Sequence, residues 1–265
     1  MVSPSPRVIA ITGASAGIGR ATAVRLARDG SSVAIFARRG DRLAQVAGEI
    51  EAAGGRALSL VGDVAREGDV AELVRLSLNR FQRLDVMICN AGFGIAGAID
   101  TISSDQMRKL IDTNYLGTYY ATRAALPVFR RQGRGHLIFV SSIVGKRGVP
   151  FMGAYSATKF AQVGLAECLR AELVGSEIHV SVVLPVSTET EFFDVMAAET
   201  GAAVGRSGPR QGADTVADAI ASAIERPVPE VYPYSKARGL VWLNALPPAV
   251  ADRFVKKYGR RPLDP

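Results

Sequence analysis

The segment YSATK, residues 155–159, sets a phenol and an ammonium four residues apart, with small residues between Tyr155 and Lys159. On a helix such positions share one face, so the two polar tips can converge on a small volume and pass a proton there. The same spacing also makes an ordinary solvated helix face, so chemistry requires further groups at the same place. Ser142 stands thirteen residues earlier, the second of a serine pair with Ser141 behind an apolar run. A serine at that place can satisfy a strand end.

A glycine-rich stretch, TGASAGIG at residues 12–19, follows the first apolar run directly and opens a helical pattern, with Gly13, Gly17 and Gly19 spaced as T-G-x3-G-x-G. This is not the G-x-G-x-x-G of the standard dinucleotide fingerprint, but its place between a strand and a helix carries the same logic. Glycines let a pyrophosphate approach the backbone where the helix N-terminus presents unpaired N–H groups. A tight turn without a ligand is the alternative. After the second apolar run the chain reads IFARRGD, residues 35–41, with Ala37 where an acid would meet a free ribose 2′-hydroxyl, then Arg38 and Arg39. A guanidinium pairs bidentately with phosphate, so a 2′-phosphorylated cofactor, NADP(H), is preferred over NAD(H). Two solvated loop arginines are the alternative.

The elements that must position these groups are legible as an alternation. Apolar runs at 7–12, 32–37, 56–61, 85–89, 136–141 and 178–184 lack the in-out pattern of half-exposed strands and read as strands buried on both faces. Helical patterns at 18–29, 41–53, 68–80, 104–131 and 153–174 lie between them, and another is expected at 214–225. Strict alternation implies an α/β fold with a doubly wound parallel sheet and helices on both faces. No repeat or linker divides the chain, so 1–265 is expected as a single dinucleotide-binding catalytic domain. The less regular stretch 187–212, with serine, glycine and proline after Arg206, is expected to be a mobile insertion.

Bulk properties narrow the function classes. The chain has 265 residues, 48% hydrophobic and 22% charged, enough for a sizeable core. Its net charge of +7 would suit nucleic acid, but no aromatic residues interleave with a basic run, and a phosphorylated cofactor is an equally good anion. Cys89 and Cys168 lack metal-ligand spacing and read as buried thiols, His136 and His179 as isolated, and no metal is expected. The N-terminal run is too short and too interrupted for a signal peptide, and no apolar run spans a bilayer, which points to the cytoplasm.

Four motifs in one order, TGASAGIG, Asn90-Ala91-Gly92, Ser142 and YSATK, resemble the short-chain dehydrogenase/reductase family over residues 7–190. The resemblance implies a Rossmann-like fold and a catalytic tetrad of Asn114, Ser142, Tyr155 and Lys159. It implies a cofactor lying along Gly13, Ser15, Gly17, Ile18 and Gly19, with Asp63 and Val64 at the adenine and Asn90, Ala91 and Gly92 bordering the ribose and steadying the sheet. Tyr155 and Lys159 would reach the nicotinamide ribose, and Pro185, Thr188 and Thr190 the nicotinamide side. Here the chain departs from the usual PGxVxT, reading PVSTET, with Val186 for glycine and Thr188 for valine.

Within that frame an ammonium about 4 Å from the phenol favours its ionised form by roughly 4 kcal/mol at an effective dielectric near 20, or about three pK units. The phenol could then give or take a proton while Ser142 holds the substrate oxygen, and Asn114 would fix a water in the proton path. An apolar ketone or secondary alcohol is expected, covered by Phe192, Phe193, Val195 and Met196 and lined by Phe93, Ile95, Val144, Val149, Phe151 and Met152. Family resemblance suggests a homodimer or homotetramer through the helices at 104–131 and 153–174. The basic extension 235–265 joins an apolar block around Trp242 to Arg253, Lys256, Lys257, Arg260 and Arg261. A basic amphipathic helix could contact a membrane surface or a lipid-like substrate. Pro247 and Pro248 interrupt it, which favours helices packed over the cleft or on a neighbouring subunit. The competing classes are a nucleotide-binding module without turnover and a peripheral membrane protein working through this tail.

Overall fold

In the computed structural model, residues 6–204, 208–256 and 259 are described; Arg206, Lys257, Arg260 and Arg261 of the expectations above lie outside them. Among the described residues, seven parallel strands form the main sheet in the order β3-β2-β1-β4-β5-β6-β9. They are β1 (Val8–Thr12), β2 (Ser32–Ala37), β3 (Arg56–Val61), β4 (Val86–Cys89), β5 (Arg134–Val140), β6 (Glu177–Val183) and β9 (Glu230–Val231). The helices α1 (Gly17–Ala27), α2 (Gly40–Ala52), α3 (Glu67–Phe81), α4 (Ser104–Leu110), α5 (Gly117–Gln132), α6 (Gly153–Glu172) and α8 (Ala213–Glu225) supply the crossovers and cover both faces. This is the doubly wound Rossmann-like α/β architecture expected.

The two-sided apolar runs produce two cores. Ile9, Ile11, Ile35, Ile88 and Ile138 point to one face, under α1, α2 and α8. Ala10, Phe36, Met87, Leu137 and Phe139 point to the other, under α3, α5 and α6. Each fully buried Ile or Phe contributes about 1.5–3 kcal/mol, and successive residues serve opposite cores because strand side chains alternate. The edge strand β3 differs from the expectation of two-sided burial: Arg56, Ser59 and Val61 are exposed, since an edge has fewer elements to cover it.

Other departures are local. Residues 104–131 form one helical path, but a π-helical turn, Ile111–Leu116, interrupts it between α4 and α5. The stretch 187–212 is not irregular throughout. The short strands β7 (Ser187–Glu189) and β8 (Arg210–Gly212) pair in parallel and bracket α7 (Phe192–Thr200), which forms because Phe193 and Met196 share a buried face. The C-terminal residues fold as α9 (Arg238–Trp242), a 3-10 turn at Leu243–Ala245, and α10 (Pro248–Val255), with Pro248 in the first turn, where its missing N–H costs nothing. Cys89 is buried but Cys168 is exposed. The histidines are not isolated: His136 and His179 are register partners on β5 and β6, with ring centres 5.9 Å apart. No helix among the described residues is long and apolar enough to cross a membrane.

Candidate functional site

The sheet order reverses at β1, whose neighbours β2 and β4 lead to helices on opposite faces, and the loops after β1 and β4 part there to leave a crevice. Thr12 Oγ1 accepts the Asn90 and Ala91 N–H groups at 3.1 and 3.2 Å, and Asn90 Nδ2 donates to the Thr12 and Gly13 carbonyls at 3.0 Å each. The Asn90 amide thereby ties the two loops together.

The glycines are required by space. Gly13 and Gly17 have φ of +68° and +54°, the left-handed region that favours glycine. A Cβ on Gly19 would stand 2.3 Å from the Gly13 carbonyl and 2.5 Å from Asn90 Nδ2. Behind them α1 begins at Gly17 with no side-chain cap and no acidic residue in its first turn. Its first N–H groups therefore face the cleft as an anion cradle. The geometry fits the pyrophosphate of a dinucleotide.

The cleft encloses about 360 Å³ and runs from Arg38, Arg39, Asp63 and Val64 past Ser15, Gly17, Ile18 and Ala91 to Ser142, Tyr155 and Lys159. Pro185, Thr188 and Thr190 form its opposite wall. Of the expected catalytic and cofactor-binding residues, only Gly19 and Asn114 are not at its surface. Gly19 packs beneath the loop, and Asn114 stands behind Gly92, fully buried on the π turn. Both Asn114 amide hydrogens are taken, by the Phe93 carbonyl at 2.9 Å and Thr158 Oγ1 at 3.0 Å, while Oδ1 accepts the Phe93 N–H. Those amide hydrogens are therefore unavailable to the water expected there.

Gln162, which sequence reasoning passed over, occupies the centre of this arrangement. Its Nε2 donates to the Asn114 carbonyl at 2.8 Å and to Thr118 Oγ1 at 2.7 Å, while its Oε1 accepts from Lys159 Nζ at 3.1 Å. The available signal was its spacing, three residues after Lys159 and seven after Tyr155 on one helix face.

Lys159 also donates to the Val140 carbonyl at 3.0 Å, and its Nζ lies 5.7 Å from the centre of the Tyr155 ring. Complete burial pushes its ammonium down to about 7, because removal from water disfavours the charged form. The charge beside the Tyr155 ring is thus set by pH near neutrality. On its other side the Tyr155 ring meets Phe192, with centres 5.7 Å apart. Ser142 caps a 3-10 turn, its Oγ accepting the Val144 N–H at 3.3 Å and donating to the Pro185 carbonyl at 3.5 Å. Of the expected apolar lining, Phe93, Val144, Met152, Phe192, Phe193 and Val195 reach the cleft. Ile95, Val149 and Met196 are buried in the packing around it, and Phe151 does not line it.

At the far end the two arginines separate. Arg38 and Arg39 are both exposed at the rim, but Arg39 donates to Ser15 Oγ at 3.0 and 3.3 Å and forms an ion pair with Glu191, just before α7. The carboxylate holds the Arg39 guanidinium above its usual range. Glu191, absent from the sequence expectations, thereby links the glycine loop to the segment over the cleft; the partners are 152 residues apart in the chain, so no local pattern announces the pair.

The short chain dehydrogenase family model matches residues 7–200. Among curated proteins, the ketoacyl reductase HetN of Nostoc is 29% identical, the match covering 98% of this chain and 91% of that protein. Retinol dehydrogenase 8 of Bos taurus is 37% identical over 72% of this chain and 62% of that protein. Among solved structures, an alcohol dehydrogenase from Thermococcus sibiricus complexed with 5-hydroxy-NADP superposes with a TM-score of 0.76 at 29% identity, covering 86% of this chain and 96% of that one. With its parallel sheet, its glycine cradle and its YSATK helix at one cleft, this chain belongs to the short-chain dehydrogenase family of oxidoreductases.

Proposed function

We propose that the protein is an NADP(H)-dependent oxidoreductase interconverting a carbonyl and a secondary alcohol on an apolar substrate, with Tyr155 as general acid and base. The observation that carries this reading is that Tyr155, Ser142 and buried Lys159 line the same cleft as the glycine cradle. When bound, the nicotinamide supplies or accepts the hydride. Ser142 holds the substrate oxygen, and Tyr155 protonates it in reduction or deprotonates it in oxidation. Lys159 stabilises negative charge on the phenol and reaches the ribose hydroxyls, while Gln162 and Asn114 fix the Lys159 side of the site. Asp63 and Val64 would hold the adenine end, and Pro185, Thr188 and Thr190 the nicotinamide end.

The preference for a 2′-phosphate is supported by Arg39 on Ser15, by Arg38 beside it and by Ala37 in place of an acid. The apolar substrate is supported by Phe93, Met152, Phe192 and Phe193 in the cleft, and by relatives whose names refer to ketoacyl groups and retinol. In this reading 1–265 is one catalytic domain and 187–212 its lid. It assembles as a homodimer or homotetramer through α5 and α6, whose exposed faces carry Tyr119 and Phe160.

The test is a panel of apolar ketones and secondary alcohols with NADPH and NADP, followed at the nicotinamide absorbance. Turnover that disappears in Tyr155→Phe while cofactor binding persists supports the reading. Cofactor binding without turnover of any substrate would favour a nucleotide-binding module, and equal turnover by the variant would remove Tyr155 from the chemistry.

A further inference from the structure

The C-terminal segment has two dissimilar faces. Inward, Ala251 and Val255 are buried and Leu243 is partly buried, and Val255 and Leu243 pack with Phe93, Val144, Met152 and Tyr155. Arg147 pins the segment from the loop after β5 by binding Asn244 Oδ1 at 3.4 Å and pairing with Asp252, while Asn244 Nδ2 donates to the Lys146 carbonyl at 2.9 Å. Outward, Trp242 is 75% exposed and Phe254 51%, and Leu246 and Val250 are also exposed. Trp242, Leu246, Val250 and Phe254 recur every four residues across the turn between α9 and α10. Lys236, Arg238, Arg253 and Lys256 are exposed on the same segment. Its only acid between residues 236 and 256, Asp252, is held by Arg147.

We infer that this apolar and basic outer surface docks on an anionic lipid bilayer. Charge decides between occupants. Residues 235–265 carry seven Lys and Arg against two Asp, a net +5 within a chain total of +7. A second copy docked face to face would bring two such cation sets together, and a nucleic acid would satisfy the cations but leave Trp242 and Phe254 in water. An anionic bilayer satisfies both features: lysine and arginine reach the headgroups while the apolar side chains enter the acyl boundary, and an indole suits that interface. The inner face of the same segment packs against the apolar side of the cleft, so docking would bring the cleft close to dissolved lipid. The docking itself is independent of the chemistry proposed for that cleft.

Trp242 is the only tryptophan, so its emission reports directly on the surface. The full chain is mixed with phosphatidylglycerol-containing vesicles or with pure phosphatidylcholine vesicles, and emission and co-sedimentation are followed as salt is raised. The expected result is a blue shift and sedimentation with the anionic vesicles only, fading with salt. The double variant Leu246→Ser, Phe254→Ser is expected to weaken binding roughly tenfold or more with an unchanged melting curve. Absence of both shift and sedimentation would overturn the inference. So would a blue shift that grows with protein concentration without lipid, the mark of self-association, and so would undiminished binding by the double variant, the mark of mere polycation adsorption.

Discussion

The two ends of the cleft are built differently. The end at the glycine loop is framed by backbone: the loop and uncapped α1 follow the end of β1, and the Asn90 side chain ties them to the end of β4. The substrate end is made of side chains from the loop after β4, from the stretch before α6 and from α7, with α10 packed behind. Backbone sites tolerate almost no added atom, because nothing nearby can move aside. Side-chain sites can repack, and this freedom allows one family to meet many substrates on one scaffold.

The comparison can be broken by substitutions at each end. The largest effect is expected where the two meet: Tyr155→Phe should lower turnover by roughly 10²–10⁴-fold with cofactor affinity unchanged, measured by steady-state kinetics beside cofactor titration. At the backbone end, Gly19→Ala should abolish measurable cofactor binding and cost about 1–3 kcal/mol in denaturant unfolding, since its Cβ would collide with the Gly13 carbonyl. A variant that binds cofactor normally would show the cradle to be looser than its geometry.

The join between the ends is tested by a pair of opposite sign. Arg39→Ala should weaken NADPH binding about tenfold or more while leaving NADH nearly unchanged, as expected for a lost charge-assisted hydrogen bond. Glu191→Gln should strengthen NADPH binding a few-fold if Arg39 meets the 2′-phosphate as proposed, because the carboxylate paired with Arg39 would compete for it. Parallel changes for both cofactors would remove 2′-phosphate recognition from this arginine.

A smaller effect concerns Lys159. Its folded value of about 7 lies below the ordinary lysine value of 10.5, so between those pH values the unfolded chain binds more protons. The cofactor-free protein should therefore gain stability as pH rises from 7 toward 10.5, with the full penalty present below 7; Lys159→Met should flatten this slope in melting curves. Smallest is Phe192→Ala at the adaptable end, expected to raise KM for apolar substrates several-fold with cofactor affinity unchanged.

Much of this was legible because it is local. Strand β2 begins and ends where its apolar run does, since a parallel strand buried on both faces needs apolar residues without alternation, whereas the bounds of β3 were legible but its exposure at the sheet edge was not. TGASAGIG was readable because glycines are imposed by a backbone path, and a path is written in consecutive residues. The π turn carrying Asn114 was not, because the residues of 104–131 keep a helical pattern through it. The helix in 187–212 was not read as one, although Phe192, Phe193, Val195 and Met196 were expected to cover the cleft, because so few apolar residues do not fix a helical period.

Sequence by itself determined the fold class, the glycine loop between β1 and α1 and the Tyr155–Lys159 spacing, all of which follow from periodicity and backbone conformation over short distances. Tertiary structure alone decided that Gln162 joins Lys159 to Asn114, that Arg39 rather than Arg38 meets Ser15, that Glu191 holds it, and that Trp242 faces outward while Val255 faces in. The reason is physical: burial and pairing depend on which distant segments fill the same volume, and no short stretch of chain contains that information.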